Sequence, residues 1–279
     1  MNQPKMQFNM PDSDSIIDRV IQFLTYQKDV YGDFDRDLWN KVEIEIPKEM
    51  IMNSEEPQSK ENINISKQTN SVSSIAEEEQ SDQTLLEKME QCQTLDELHE
   101  RCQQADFLKT NLENTNLVFG VGNPQADLVI IGEAPGRNED IQQEPFVGRA
   151  GQLLNDILKA IHFKRSDVYI TNIVKHRPPN NRDPLTKERK LSLPVLLKQI
   201  DLINPKLILC LGRISAQTLL NTNQPMKALR GSFHPFRDKY ELMVTYHPAA
   251  LLRNPQWKRA TWEDVKKLRD RYDELGCEP

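Results

Sequence analysis

Along residues 83–279, short runs dense in Val, Ile and Leu alternate with stretches whose apolar positions recur every three to four residues. The runs 127–133, 168–174, 207–212 and 241–247 have the length and β-branched content of buried strands. Between them, residues 151–163 set Leu153, Leu154, Ile157, Leu158 and Ile161 on one helical face, and 186–203 and 213–220 also read as helices. A last helix over 262–275 carries a stripe of Val265, Leu268 and Tyr272. Strands alternating with helices of this length predict an α/β fold of three layers, α/β/α, around a mostly parallel four-stranded sheet. Leu85, Leu86, Met89, Leu95 and Leu98 open this body at helical spacing, with a break near Thr94.

Upstream the pattern changes. Residues 13–28 place Ile16, Ile17, Val20, Ile21, Phe23 and Leu24 at helical spacing behind Asp12 and Ser13, which predicts a short amphipathic helix. An acidic, aromatic stretch follows over 31–39, so residues 13–39 form a docking element, either for the chain's own body or for a protein partner. Residues 47–82 contain no Phe, Trp or Tyr and are rich in Ser, Asn, Gln, Glu and Lys, too polar to offset the entropy of ordering. The chain therefore divides into an N-terminal amphipathic segment (1–46), a disordered polar linker (47–82) and a folded domain (83–279).

Charge reinforces the division. The formal net charge of −6 conceals 8 basic against 17 acidic residues in 1–82, and 28 against 25 in the rest. A mildly basic body behind an acidic tail leaves a nucleic-acid partner open. There is no apolar run of about 18 residues to span a bilayer, and the N-terminus lacks a secretory layout, so a cytoplasmic, membrane-free location is expected. Cys92, Cys102, Cys210 and Cys277 are scattered without a CxxC pair, which predicts free thiols rather than a disulfide framework or zinc knuckle.

In a parallel sheet the strand ends converge on one edge, where open α/β folds place their chemistry. The first strand runs into Gly132-Glu133-Ala134-Pro135-Gly136, a turn that presents Glu133 and, shortly after, Glu139. Phe146, Asn172 and His247 fall at the same edge, with Arg149, Lys175, Arg177, Arg182 and Arg253 around them. Taken singly, each has an ordinary explanation: a solvated acid, a core aromatic, a turn amide, a structural imidazole, a basic rim. Their joint placement is what points to a pocket.

Four ordered motifs carry a specific resemblance: Gly132-Glu133-Ala134-Pro135-Gly136 with Glu139-Asp140, Pro145 through Gly151, Thr171-Asn172-Ile173-Val174-Lys175, and His247 through Arg253. From about residue 95 to 275 the chain resembles the family 4 uracil-DNA glycosylases. The resemblance implies an enzyme that flips uracil out of single- or double-stranded DNA and hydrolyses its N-glycosidic bond, leaving an abasic site. It implies catalytic roles for Glu133, Glu139 and His247, uracil contacts from Gly132, Phe146, Asn172 and Asn181, and DNA contacts from Gly148, Arg149, Lys175, Arg177, Arg182, Leu251, Leu252 and Arg253, with Leu251 or Leu252 as a wedge. A monomer is expected. Competing readings are a damaged-DNA-binding module that has lost catalysis, and a glycosylase for another deaminated base.

The resembled family holds a [4Fe-4S] cluster on four cysteines. Here Cys102 is the one thiol left in the first ligand region, His176 stands at the third ligand position and Ser192 at the fourth, so no cluster or other metal is expected.

Overall fold

The computed structural model describes residues 82–278 apart from 83, 111 and 113. The expected helix at 13–28, the docking stretch at 31–39 and nearly all of the polar linker lie outside the described residues.

Two helices open the body, α1 (residues 84–90) and α2 (Leu95–Gln103). They are separated where Thr94 turns extended and its hydroxyl accepts from the Glu97 amide, an N-cap that accounts for the break in the pattern. Four parallel strands follow: β2 (Leu128–Gly132), β3 (Tyr169–Asn172), β4 (Leu207–Leu211) and β6 (Tyr240–Thr245). The helices between and after them are α3 (Arg137–Gln142), α4 (Arg149–Ala160), α5 (Thr186–Ile203), α6 (Arg213–Leu219), α7 (Met226–Leu229), α8 (Pro248–Arg253) and α9 (Lys258–Glu274).

The strands read as unbroken apolar runs because both faces of the sheet are covered. On one face, Val129 and Ile131 of β2 join Leu196 and Ile200 of α5 and Ile208 and Cys210 of β4. On the other, Leu128 and Ile130 join Leu154 and Leu158 of α4 and Val265, Leu268 and Tyr272 of α9. A third cluster lies beside the sheet, where Met89, Leu98 and Cys102 pack on Leu108, Phe119 and Val195.

The expected four-stranded sheet is corrected to six, in the order β1-β3-β2-β4-β6-β5. The added strands, β1 (Val121–Gly122) and β5 (Phe233–Phe236), pair antiparallel at the two edges. A two-residue strand leaves no periodicity to read, and Pro235 lowers the strand signal of β5, as proline does wherever its missing N–H must face away from the ladder. Helix α9 also starts at Lys258 rather than at 262, because its first turn is polar and adds nothing to the apolar stripe.

Register is what positions the site. Gly132 pairs with Asn172 and Leu211 with Thr245, so the ends of all four parallel strands stand on one line and release their following loops on the same side.

Candidate active site

The floor of the site is built from three motifs. A Cβ on Gly132 would lie 2.6 Å from Phe146 Cζ and would overlap Asn172 Oδ1, so glycine is what lets ring and amide meet across the end of β2. Phe146 is buried with a left-handed backbone, φ 56°, a conformation uncommon outside glycine that must be held by its surroundings. Several groups hold it. Glu139 Oε1 accepts from the amides of Val147 (3.0 Å) and Gly148 (2.9 Å), and Arg165 Nη2 donates to the Pro145 carbonyl at 2.5 Å. Gly151 lies so close under the Phe146 carbonyl that any side chain there would collide with it.

Asn172 ends β3 with 2% exposure, and its Oδ1 has no hydrogen-bond partner among the described residues. A buried amide oxygen without a donor costs roughly 1 to 3 kcal/mol, so such groups call for an explanation. This oxygen lies beside the Phe146 ring over Gly132, where it can accept from a bound group.

His247 faces the same floor, its ring 5.4 Å from that of Phe146. It caps α8: Nδ1 accepts from the Ala249 amide at 3.1 Å, which puts the ring proton on Nε2. Burial, with the Arg253 charge adding to it, pushes the imidazole down to about 4, so the ring is neutral near pH 7 and presents an N–H donor. Gly212, at φ 92°, follows β4 and caps α6, and a side chain there would press on the His247 side chain.

Glu133 follows Gly132 and is half-buried. Burial, then the neighbouring Asp183 carboxylate, pushes its carboxyl up to about 8, while Arg213 and Arg189 pull the other way. Asp183 is itself paired with Arg213, at the start of α6, at 3.1 Å. The sequence offered no signal for Asp183, which sits on an exposed loop 50 residues further along the chain. Where the ionised carboxylate is the working form, the sign follows directly. The acid loses its proton only as pH rises through the raised pKa, so the rate climbs between about pH 7 and 9. An Asp183→Asn variant is expected to move that limb to lower pH, and Glu133→Gln to abolish it, as read from pH profiles of kcat/KM.

Other expected site residues are placed differently. Lys175 is fully buried, donating to Thr171 Oγ1, the Asn172 carbonyl and Gln199 Oε1, which corrects its assignment to DNA. A lysine near a pocket mouth reads as surface by default, and here the surrounding acceptors drew it inward. Leu251 is buried at 1%, whereas Leu252 is 39% exposed, so of the two leucines either of which could serve as the wedge, Leu252 is the one at the surface. Asn181 is exposed and accepts from Arg177 Nε at 2.6 Å, outside the pocket floor. Arg182 grips Glu188 through both its terminal nitrogens, at 2.9 and 2.7 Å, and braces the start of α5 instead of offering a free guanidinium. The Gly148 amide is taken by Glu139, leaving Arg149 as the exposed cation at the start of α4. Arg253 is exposed at the end of α8.

The residues at the expected cluster ligand positions do not fit an iron-sulfur cluster. Cys102 is buried among Leu98, Leu108 and Phe119 and lacks the second cysteine of a CxxC pair that a four-thiolate cluster needs. His176 Nδ1 lies 3.1 Å from the Thr115 hydroxyl, and Ser192 offers a buried hydroxyl without a partner. Among the described residues, no group of three or more His, Cys, Asp and Glu side chains converges as a metal site.

A doubly covered, mostly parallel sheet thus brings an amide, an aromatic ring and a neutral imidazole together at its strand ends. The chain belongs to the uracil-DNA glycosylase superfamily, whose family model matches residues 119–266. Among curated proteins, the chain is 44% identical over 161 residues to the type-4 uracil-DNA glycosylase of Archaeoglobus fulgidus, covering 55% of this chain and 81% of that protein. It is 45% identical over 163 residues to the Saccharolobus solfataricus enzyme of the same name (56% and 76%), and 39% over 162 residues to that of Thermotoga maritima (57% and 84%). Among the described residues, no helix is long and apolar enough to cross a membrane.

Proposed function

We propose that this chain excises uracil from DNA by hydrolysing the N-glycosidic bond, leaving an abasic site. The observation that carries this reading is the buried Asn172 Oδ1 without a donor, set against Phe146 over Gly132. Uracil carries an N–H at ring position 3, which supplies that donor. Cytosine carries an acceptor there, so its lone pair would face the amide oxygen and leave it unpaired.

In this reading the flipped base stacks on Phe146 while Leu252 fills the gap in the duplex and Arg149 and Arg253 hold flanking phosphates. As the bond between the sugar carbon and the base nitrogen breaks, its electron pair moves onto uracil, where His247 Nε2–H donates to the developing oxyanion. The sugar becomes cationic. Glu133 is the acid left free to stabilise that charge or to orient the attacking water, since Glu139 Oε1 is committed to the Phe146 loop. Water then adds its oxygen to the sugar carbon and releases a proton.

The fold needs no cluster in this reading, because the third apolar cluster fills the region between α2 and α5. Purified protein is expected to contain substoichiometric iron and no visible cluster absorbance. Single- and double-stranded DNA both qualify as substrate, the protein acts as a cytoplasmic monomer, and residues 13–39 tether a protein partner. The function is tested with oligonucleotides carrying uracil, cytosine, thymine or hypoxanthine at one position. Release confined to uracil supports the assignment, and preferential release of hypoxanthine or binding without release overturns it.

A further inference from the structure

Lys175 is an amine buried among neutral acceptors, its pKa pushed down to about 7 by burial, and its bonds join three segments of the chain. Nζ donates to Thr171 Oγ1 at 2.7 Å, to the Asn172 carbonyl at 2.9 Å and to Gln199 Oε1 at 2.5 Å. The acceptors are tied in turn. Thr171 Oγ1 donates to the Phe119 carbonyl at 2.8 Å, and Gln199 Nε2 donates to the same carbonyl at 3.0 Å and approaches the Tyr169 hydroxyl at 3.3 Å. The loop also closes through the backbone, as the Val118 amide donates to the Lys175 carbonyl at 2.8 Å. Thr171, Asn172, Lys175 and Gln199 are all buried.

Asn172 is the last residue of β3; the amides of Ile173 and Val174 beyond it still donate to the Gly132 and Glu133 carbonyls, and the Asn172 carbonyl itself accepts from Lys175 Nζ. Its side-chain oxygen is held ready without any bond of its own, so the backbone must fix its position. We propose that Lys175, with Gln199 and Thr171, is a positioning device for the base reader: it clamps the Asn172 backbone from within the core and sets the direction of the side-chain amide. The clamp joins β3, α5 and the segment before β1. A cross-link between the segment before the sheet and the one after β3 is what the missing cluster would have supplied, and here buried hydrogen bonds make a tie of the same kind.

This inference rests on the uracil-excision reading and deepens it. A Lys175→Met variant removes all three donors at similar side-chain length. A Lys175→Met/Thr171→Val/Gln199→Leu variant also removes the side-chain acceptors stranded by that change, and apolar replacement of a whole buried polar group recovers stability that a single deletion loses. The readouts are inhibition by free uracil, affinity for abasic-site DNA, and melting temperature. Lys175→Met is expected to weaken uracil inhibition about 10-fold or more, as for a misaligned polar contact, while abasic-site affinity stays within about 2-fold because the DNA contacts lie elsewhere. The triple variant is expected to regain melting temperature without regaining uracil affinity. Uracil inhibition that is unchanged, or that recovers together with melting temperature in the triple variant, overturns the positioning role and leaves the excision reading standing. A wild-type protein that neither releases nor binds uracil overturns both.

Discussion

Replacing Asn172 with leucine is expected to lower kcat/KM for uracil release by on the order of 10³-fold, because a site built around one polar contact loses both the contact and the discrimination that goes with it. The same change is expected to leave the melting temperature unchanged or higher. Oδ1 is buried without a partner in the free protein, so an apolar side chain of similar size relieves a polar group that the fold alone does not satisfy. Activity and stability moving in opposite directions is the signature of strain kept for function. Parallel losses in both, measured by steady-state kinetics and thermal melts, would make Asn172 an ordinary core residue.

The second large effect is expected at His247. Removing a preorganised donor to a developing oxyanion typically costs about 10² to 10³ in rate, and His247→Ala should fall in that range with KM little changed. The imidazole is held down to about 4, and its Nδ1 is occupied by the Ala249 amide. The neutral Nε2–H donor therefore persists across the range in which Glu133 titrates. In wild type, an acid limb between about pH 7 and 9 belongs to Glu133, whose pKa is raised, and none from His247 appears until pH falls toward 4. His247→Ala should lower the whole profile without moving its midpoint. A midpoint that shifts with His247 instead of with Asp183 would reverse the two assignments.

The four parallel strands and the helices between them were legible because burial on both faces turns a strand into a short β-branched run, and one-sided burial gives a helix its stripe. The site was legible at the strand ends, where topology alone brings Gly132, Asn172 and His247 to one edge. What escaped the sequence depends on pairings across distant segments. Lys175 reads as a surface cation until Gln199, 24 residues away, is seen to accept from it. Leu251 and Leu252 are neighbours of identical composition, and only the docking of α8 decides which is buried. The resemblance implies a catalytic role for Glu139, and that its Oε1 accepts from amides eight and nine residues on shows only in the fold. Asp183 gave no pattern at all, since its importance comes from standing beside Glu133 in space.

As proposed, this chain excises uracil with its own side chains at the sheet edge and without an iron-sulfur scaffold. The most direct measurement is uracil release from a uracil-containing oligonucleotide by the purified full chain, with iron quantified in the same sample. Catalytic release of free uracil, with many turnovers per chain, is expected at substoichiometric iron. Absence of release, or release that rises in proportion to bound iron, would contradict it.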